Sequence, residues 1–265
     1  MLDLRKNDFM DVEQMKNEAP SIFTTTPSGN VTEKYVYIPT LTVIQDMELL
    51  GWGVVDVKEV KARTNGTRGF QKHLVVFRNN DLVIEGENGD DVSPQILLTN
   101  SYDGKSCFEF VAGLFRMICE NGLVVTTEEF ENVRIRHMGY TFEELQKQVF
   151  EMVERLPLTV ESMNRMKETE LRDTQIVDFA RKAVRVRFGE GTQKVDIAEL
   201  VEPERAEDIG KDLWSVFNVV QEKLANGNFE YRYNNKTRKG REIKNFKQDQ
   251  QFNKDLFKLA LSYAA

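Results

Sequence analysis

Residues 97–137, LLTNSYDGKSCFEFVAGLFRMICENGLVVTTEEFENVRIRH, decide how the rest of the chain is read. Phe108, Val111, Ala112, Phe115, Ile118 and Cys119 recur at helical spacing, with Glu109, Arg116 and Glu120 on the opposite side. That periodicity predicts an amphipathic helix over 106–120 with one apolar stripe against a core. Ser106 followed by Glu109 reads as a capping box, and Asn121-Gly122 as the stop. A strand-like run, Ile96 to Ser101, enters this helix and a short strand, Leu123 to Thr126, leaves it. Beyond, Asn132 to His137 alternates Arg134 and Arg136 with Val133, Ile135 and His137, as a half-buried strand does.

Toward the N-terminus, residues 1–30 read as an arm or a docked helix. Phe9, Val12 and Met15 are loosely helical in spacing, and TTTPSGN at 24–30 forms a loop. Val31 to Ile38 is rich in β-branched and aromatic residues and predicts a strand. Thr40 caps a helix from Leu41 to Leu50 that Gly51 ends. Two strand runs, VVDVKEVKAR and RGFQKHLVVF, flank Asn65-Gly66, the dipeptide of tight hairpins. A third strand is expected near Asp81 to Glu85. The acidic run EGENGDD at 85–91 lacks the ligand spacing of a calcium loop and reads as a solvated turn.

Toward the C-terminus the pattern is helical. Thr141 and Glu144 form a second capping box ahead of Phe142, Leu145, Val149, Met152, Val153 and Leu156, and Pro157 is expected to end that helix. Helices over 160–171 and 174–188 follow, the second exposing Arg181, Lys182 and Arg185. Another runs from Ile209 to Leu224 and is halted at Asn226-Gly227. A last one carries Phe252, Leu256, Leu259, Ala260 and Tyr263. The expected fold class is α+β: an antiparallel β-sheet of about five strands packed on the central amphipathic helix, with a mostly helical C-terminal half. One domain is expected over 31–265, its sheet and central helix in 31–140 and its helical part in 141–265.

The chain has 265 residues, a net charge of −7 and a pI near 5.2, with 40% hydrophobic and 30% charged residues. Such a balance supports a folded core and argues against coating duplex DNA through bulk positive charge, while leaving room for a local basic groove. Cys107 and Cys119, on one predicted helix, would lie about 18 Å apart and could not pair, which fits a reducing compartment. No apolar run approaches a membrane span and the first residues lack the apolar core of a secretory signal. A cytoplasmic protein is expected.

Motifs for catalysis are missing. His73 and His137 have no Cys or His partner at ligand spacing, and the nucleophile elbow, phosphate-binding loop and dinucleotide-binding fingerprint are all absent. No catalytic residue, metal or cofactor is therefore nominated. Single strands are held by cations that track phosphates and by aromatic faces on which bases stack. The segment 229–247, FEYRYNNKTRKGREIKNFK, offers both. Arg232, Lys236, Arg238, Lys239, Arg241, Lys244 and Lys247 are the candidate phosphate ligands, with Tyr231 and Tyr233 as stacking platforms. Arg134, Arg136, Arg181 and Arg185 are further candidates.

NSYDGKSCFEFVAGLFRMICENGLVV, then IRHMG and FARKAVRVRF, together with the C-terminal TRKGREIKNFKQDQQFNKDLFKLA, resemble the phage/plasmid-like protein family, a domain of unknown function carried by phages, prophages and conjugative plasmids. The resemblance covers about Tyr35 to Ala260. It implies a mobile-element origin, a bacterial cytoplasmic setting, and work on DNA or against host defences. Leu50-Gly51-Trp52 ahead of a hairpin is also similar to phage single-strand annealing proteins. The expected function is non-catalytic binding of single-stranded DNA, with annealing, by a homo-oligomer in replication or recombination. The other reading is an interaction protein whose acidic runs, 85–91 and 199–208, dock a host nuclease or defence factor.

Overall fold

The stretch predicted to be the central helix is extended where the structure describes it. A computed structural model describes residues 9–33, 35–62, 64–83, 92–106, 108–116, 140–190, 194–234 and 236–264. Glu109–Arg116 is a β-strand, β4, paired along its length with Val92–Asn100, β3, from Val92↔Arg116 to Thr99↔Glu109. Two further strands, β1 (Gly53–Glu59) and β2 (His73–Arg78), complete an antiparallel sheet in the order β1-β2-β3-β4.

The helical reading failed because both periods fit the same letters. Phe108 and Phe110 are buried and Glu109 and Val111 half-exposed, so the described part alternates. The neighbouring β3 is buried at every position, Val92 to Asn100, which means both of its faces are covered and its sequence carries no period at all. The Ser106 cap serves a turn instead: Ser106 N–H donates to Ser101 Oγ at 3.2 Å, and Asp103 Oδ1 accepts from Lys105 N–H and Ser101 Oγ. The later parts of this region, including the strand readings at 123–126 and 132–137, lie outside the described residues, as do Cys107, Cys119 and the 85–91 turn.

The remaining sheet expectations fare unevenly. β1 and β2 do form an antiparallel pair, with Gly53 opposite Arg78 and Glu59 opposite His73. Their connection spans 60–72, and Asn65–Thr67 is a 3-10 turn within it, so Asn65-Gly66 is not a two-residue hairpin turn. Asp81 to Val83 is not a strand. The described residues of 31–38 are irregular, held by side chains rather than a ladder: Tyr35 Oη donates to Ser101 O at 2.9 Å and Tyr37 Oη to Thr24 O at 2.5 Å. Burial pushes the Tyr35 phenol up to about 12.

Helices α1 (Val12–Glu18) and α2 (Thr40–Leu49) lie N-terminal to the sheet. Asp11 and Gln14 form a reciprocal capping box on α1. Met10 N–H donates to Val54 O, and the Phe9 ring lies where a side chain on Gly53 would have to be, so this N-terminal segment is docked on β1. Thr40, expected as a cap, is instead the first residue of α2, and its hydroxyl meets His73.

His73 is fully buried at the centre of a polar cluster. Its Nδ1 lies 3.1 Å from Gln71 O and 3.0 Å from Ser21 Oγ, and its Nε2 lies 2.8 Å from Thr40 Oγ1. A carbonyl only accepts, so Nδ1 carries the proton and Nε2 accepts from the Thr40 hydroxyl. Thr40 Oγ1 in turn accepts from Asn100 Nδ2, and Thr40 N–H donates to Tyr102 Oη. Four chain segments are thus joined through one neutral imidazole, which has no nitrogen left for a metal. Burial lowers the His73 pKa from 6.5 to about 4.

The chain divides into two compact units, the first holding the described residues to 116 with 140–155, the second those from 156 onward. Helix α3 (Phe142–Glu168) continues past Pro157, which sequence reading took as its end. Thr141 Oγ1 accepts from Glu144 N–H at its start, as the capping box predicted. Proline removes the donor that would close on the Val153 carbonyl. Because Pro157 is exposed, Pro157→Ala should restore that bond and stabilise the helix by roughly 1–3 kcal/mol. A thermal melt with a lower midpoint than the parent would instead show that the ring is needed.

The second unit is mainly helical, as expected for the C-terminal half. It holds α4 (Asp173–Phe188), α5 (Ile197–Val201), α6 (Leu213–Asn226) and α7 (Phe246–Leu261). α6 is its axis, with Trp214, Phe217, Val220 and Leu224 buried. Trp214 stacks on Phe217, which meets Phe257 of α7 edge-on at 5.9 Å. Burying each such side chain contributes about 1.5–3 kcal/mol. Its buried polar residues are hydrogen-bonded: Gln221 Nε2 donates to Asn253 Oδ1 at 2.8 Å and Asn218 Nδ2 to Trp214 O at 2.8 Å. A small sheet, β5 (Lys194–Val195), β6 (Glu230–Tyr233) and β7 (Lys236–Lys239), completes the unit in the order β5-β6-β7.

Candidate nucleic-acid interface

The predicted basic segment becomes the β6-β7 hairpin and the start of α7. Register sets which side chains share a face, since directly opposed residues project to the same side. Lys194 pairs with Arg232, Arg232 with Thr237, and Glu230 with Lys239, so Lys194, Arg232, Thr237, Glu230 and Lys239 share one face. All five are exposed. Val195, Tyr231, Tyr233, Lys236 and Arg238 share the other, where Val195 and both tyrosines are half-buried.

This inner face rests on an aromatic cluster. The Tyr231 ring lies 5.8 Å from Phe188 and 6.1 Å from Phe229, and Phe188 meets Phe229 edge-on at 5.9 Å. The Arg238 guanidinium covers Tyr233 at 5.4 Å from the ring centre. Arg187 lies over Phe188 and donates to the carbonyls of Leu224 and Arg241, tying the ends of α4 and α6 to the chain that leaves β7. Burial lowers its pKa.

Two glycines fix the hairpin's base. Gly227, at φ +80, is the left-handed C-cap of α6, and its N–H and that of Asn228 donate to Lys223 O. A Cβ on Gly227 would lie 2.5 Å from Arg241 N, and one on Gly240 would lie 2.5 Å from Gly227 O. The two backbone segments therefore touch, with Gly240 N–H donating to Phe229 O at 2.7 Å.

The other candidates are dispersed. Arg241, Lys244 and Lys247 are exposed after the hairpin, and Arg181 and Arg185 lie one turn apart on the solvent side of α4. Lys182, between them, is occupied by Asp178 at 2.8 Å and by Tyr263 Oη at 3.0 Å. Arg134 and Arg136 lie outside the described residues. Arg232, Lys236, Arg238, Lys239 and Lys194 form no ion pair among the described residues.

With this geometry in hand, a family model described as a domain of unknown function (DUF932) matches residues 27–257, most of the chain. The chain belongs to that family. Among curated proteins, the UPF0380 proteins YafZ and YfjQ of Escherichia coli (strain K12) are similar to it. They are 29% and 28% identical over 224 residues, which cover 84% of this chain and 80% of each relative. No solved structure matches. Nothing in these names adds to the likeness with annealing proteins.

Within this DUF932 chain two carboxylates of the acidic run 199–208, Glu204 and Asp208, are paired with its own cations. Arg205 pairs with both carboxylate oxygens of Glu222 and lies 3.4 Å from buried Asp208. Buried Lys223 donates to the carbonyls of Glu199 and Glu202 at 2.7 Å and lies 3.6 Å from Glu204. Glu199, Glu202 and Glu204 remain exposed. Sequence reading missed Lys194 altogether: a two-residue strand has no period to detect, and only pairing with Arg232 reveals it. Among the described residues no helix is long and apolar enough to cross a membrane.

Proposed function

We propose that this DUF932 protein is a non-catalytic single-stranded DNA-binding protein, acting with annealing in phage or plasmid replication or recombination. The observation that carries the reading is the outward face of β5-β6-β7, where Lys194, Arg232 and Lys239 stand exposed and without ion pairs among the described residues. Cations in that state gain most from meeting phosphates, because no internal partner must be given up. A flexible strand can follow a local basic face on a protein of net charge −7, whereas a stiff duplex needs a broader basic surface than that balance favours. Arg181, Arg185, Arg241, Lys244 and Lys247 extend the available charge. Tyr231 supports the hairpin from beneath, and Tyr233 becomes a stacking platform only if Arg238 moves aside. Three phosphate contacts give modest affinity, so several copies assembled along one strand supply the remainder by avidity.

Fluorescence polarisation of a labelled oligonucleotide across a salt series tests this. Binding is expected at low salt, weakening by about 0.7 log unit of affinity per log unit of salt for each phosphate held. No binding at low salt contradicts it.

A further inference from the structure

The alternation along β6 has a stronger implication than the presence of charge. Arg232 and Lys239 face outward while Tyr231 and Tyr233 face inward, and the pleat keeps these sets on opposite sides of one sheet. A strand of DNA lying on the outward face meets Lys194, Arg232, Thr237, Lys239 and Glu230. Those five residues include no aromatic ring and no carboxamide. Lys194, Arg232 and Thr237 follow one another across three adjacent strands, about 4.8 Å apart, which makes a continuous polar row. Glu230 stands directly opposite Lys239 and opposes any anion brought to that end.

Resting on the DNA-binding reading above, we infer that this outward face is a phosphate track completed by Lys194, which holds the DNA backbone without reading its bases and which Glu230 holds below its full affinity. Three consequences separate this from a general basic surface. Lys194→Glu lowers affinity about tenfold and reduces the salt slope by about 0.7. Glu230→Gln raises affinity roughly two- to fivefold, a gain that damage to the fold does not imitate. Lys236→Glu combined with Arg238→Glu, on the inner face, changes affinity much less than Lys194→Glu alone.

The experiment measures oligo-dT and oligo-dA binding by polarisation for the parent and these three variants, each first checked by circular dichroism. The expected result is the order Glu230→Gln, parent, Lys194→Glu from tightest to weakest, with the two homopolymers within about threefold of each other. If the parent binds but Lys194→Glu and Glu230→Gln leave affinity unchanged, the track is wrong while DNA binding stands. A preference above about tenfold for one base, or a larger loss from the inner-face pair, overturns it equally. A parent chain that binds neither probe removes the functional reading itself.

Discussion

Gly227→Ala is expected to destabilise the second unit by about 2–5 kcal/mol and to abolish oligonucleotide binding with it. Two costs combine. An L-residue at φ +80 is in the left-handed region, which costs about 1–2 kcal/mol. The new Cβ would also stand 2.5 Å from Arg241 N, 2.7 Å from its Cα and 2.6 Å from its carbonyl carbon, all backbone atoms that cannot rotate away. Overpacking of this kind costs typically 1–3 kcal/mol. Relief requires the chain after β7 to move off α6, which breaks the Ile243 N–H bond to Ala225 O and the Arg187 bond to Arg241 O. The hairpin then loses its base, and Arg232 and Lys239 lose their register with Lys194. Thermal denaturation should show a midpoint lowered by roughly 6–12 °C. An unchanged midpoint with unchanged binding would mean that the Gly227–Gly240 approach does not position the face.

Acid is expected to act first on the other unit, through His73. Its folded pKa of about 4 lies below the ordinary 6.5, so between these values the unfolded chain holds the proton and the folded chain does not. The stability contributed by the neutral ring is complete above about pH 6.5 and falls as the pH drops toward 4, by roughly 3 kcal/mol in all. Below about 4 this loss levels off. The groups around the ring explain the direction: Ser21, Thr40, Gln71 and Tyr102 offer dipoles, and among the described residues no carboxylate hydrogen-bonds to the ring in place of water. Glu59 is engaged with Ser21 N–H and Gln71 Nε2. Carboxylates elsewhere also titrate, so the comparison is with His73→Gln. That variant should be less stable at pH 7, and denaturant titrations at pH 7, 5.5 and 4 should show a shallower fall for it than for the parent. Parallel curves would contradict a neutral buried imidazole.

Elements whose boundaries are written in local chemistry were legible. Gly227 ended α6 as Asn226-Gly227 predicted, Thr141 capped α3, and the α+β class with its helical C-terminal half holds. What was not legible depends on pairing. Residues 108–116 satisfy both a helical and an extended period, and the choice is made by β3, a partner with nine buried positions and no period of its own. Pro157 was read as a stop because an isolated helix would end there, yet α3 continues on either side of it. At the candidate site, the alternation of EYRY is visible in the sequence and separates Arg232 from both tyrosines. Which face is outward is set by Phe188, at the end of α4, which no spacing brings to Tyr231. Lys194 joined the candidates for the same reason, through a cross-strand neighbour nearly forty residues away.

Lysine acetylation, read by mass spectrometry with and without a bound oligonucleotide, locates the contact on the folded protein most directly. Lys194 and Lys239 should be protected when DNA is bound, while Lys236, on the inner face of the same hairpin, and Lys58, on β1, react as before. Protection of Lys236 with Lys194 and Lys239 left reactive, under conditions where binding is complete, would contradict the outward face as the DNA-binding surface.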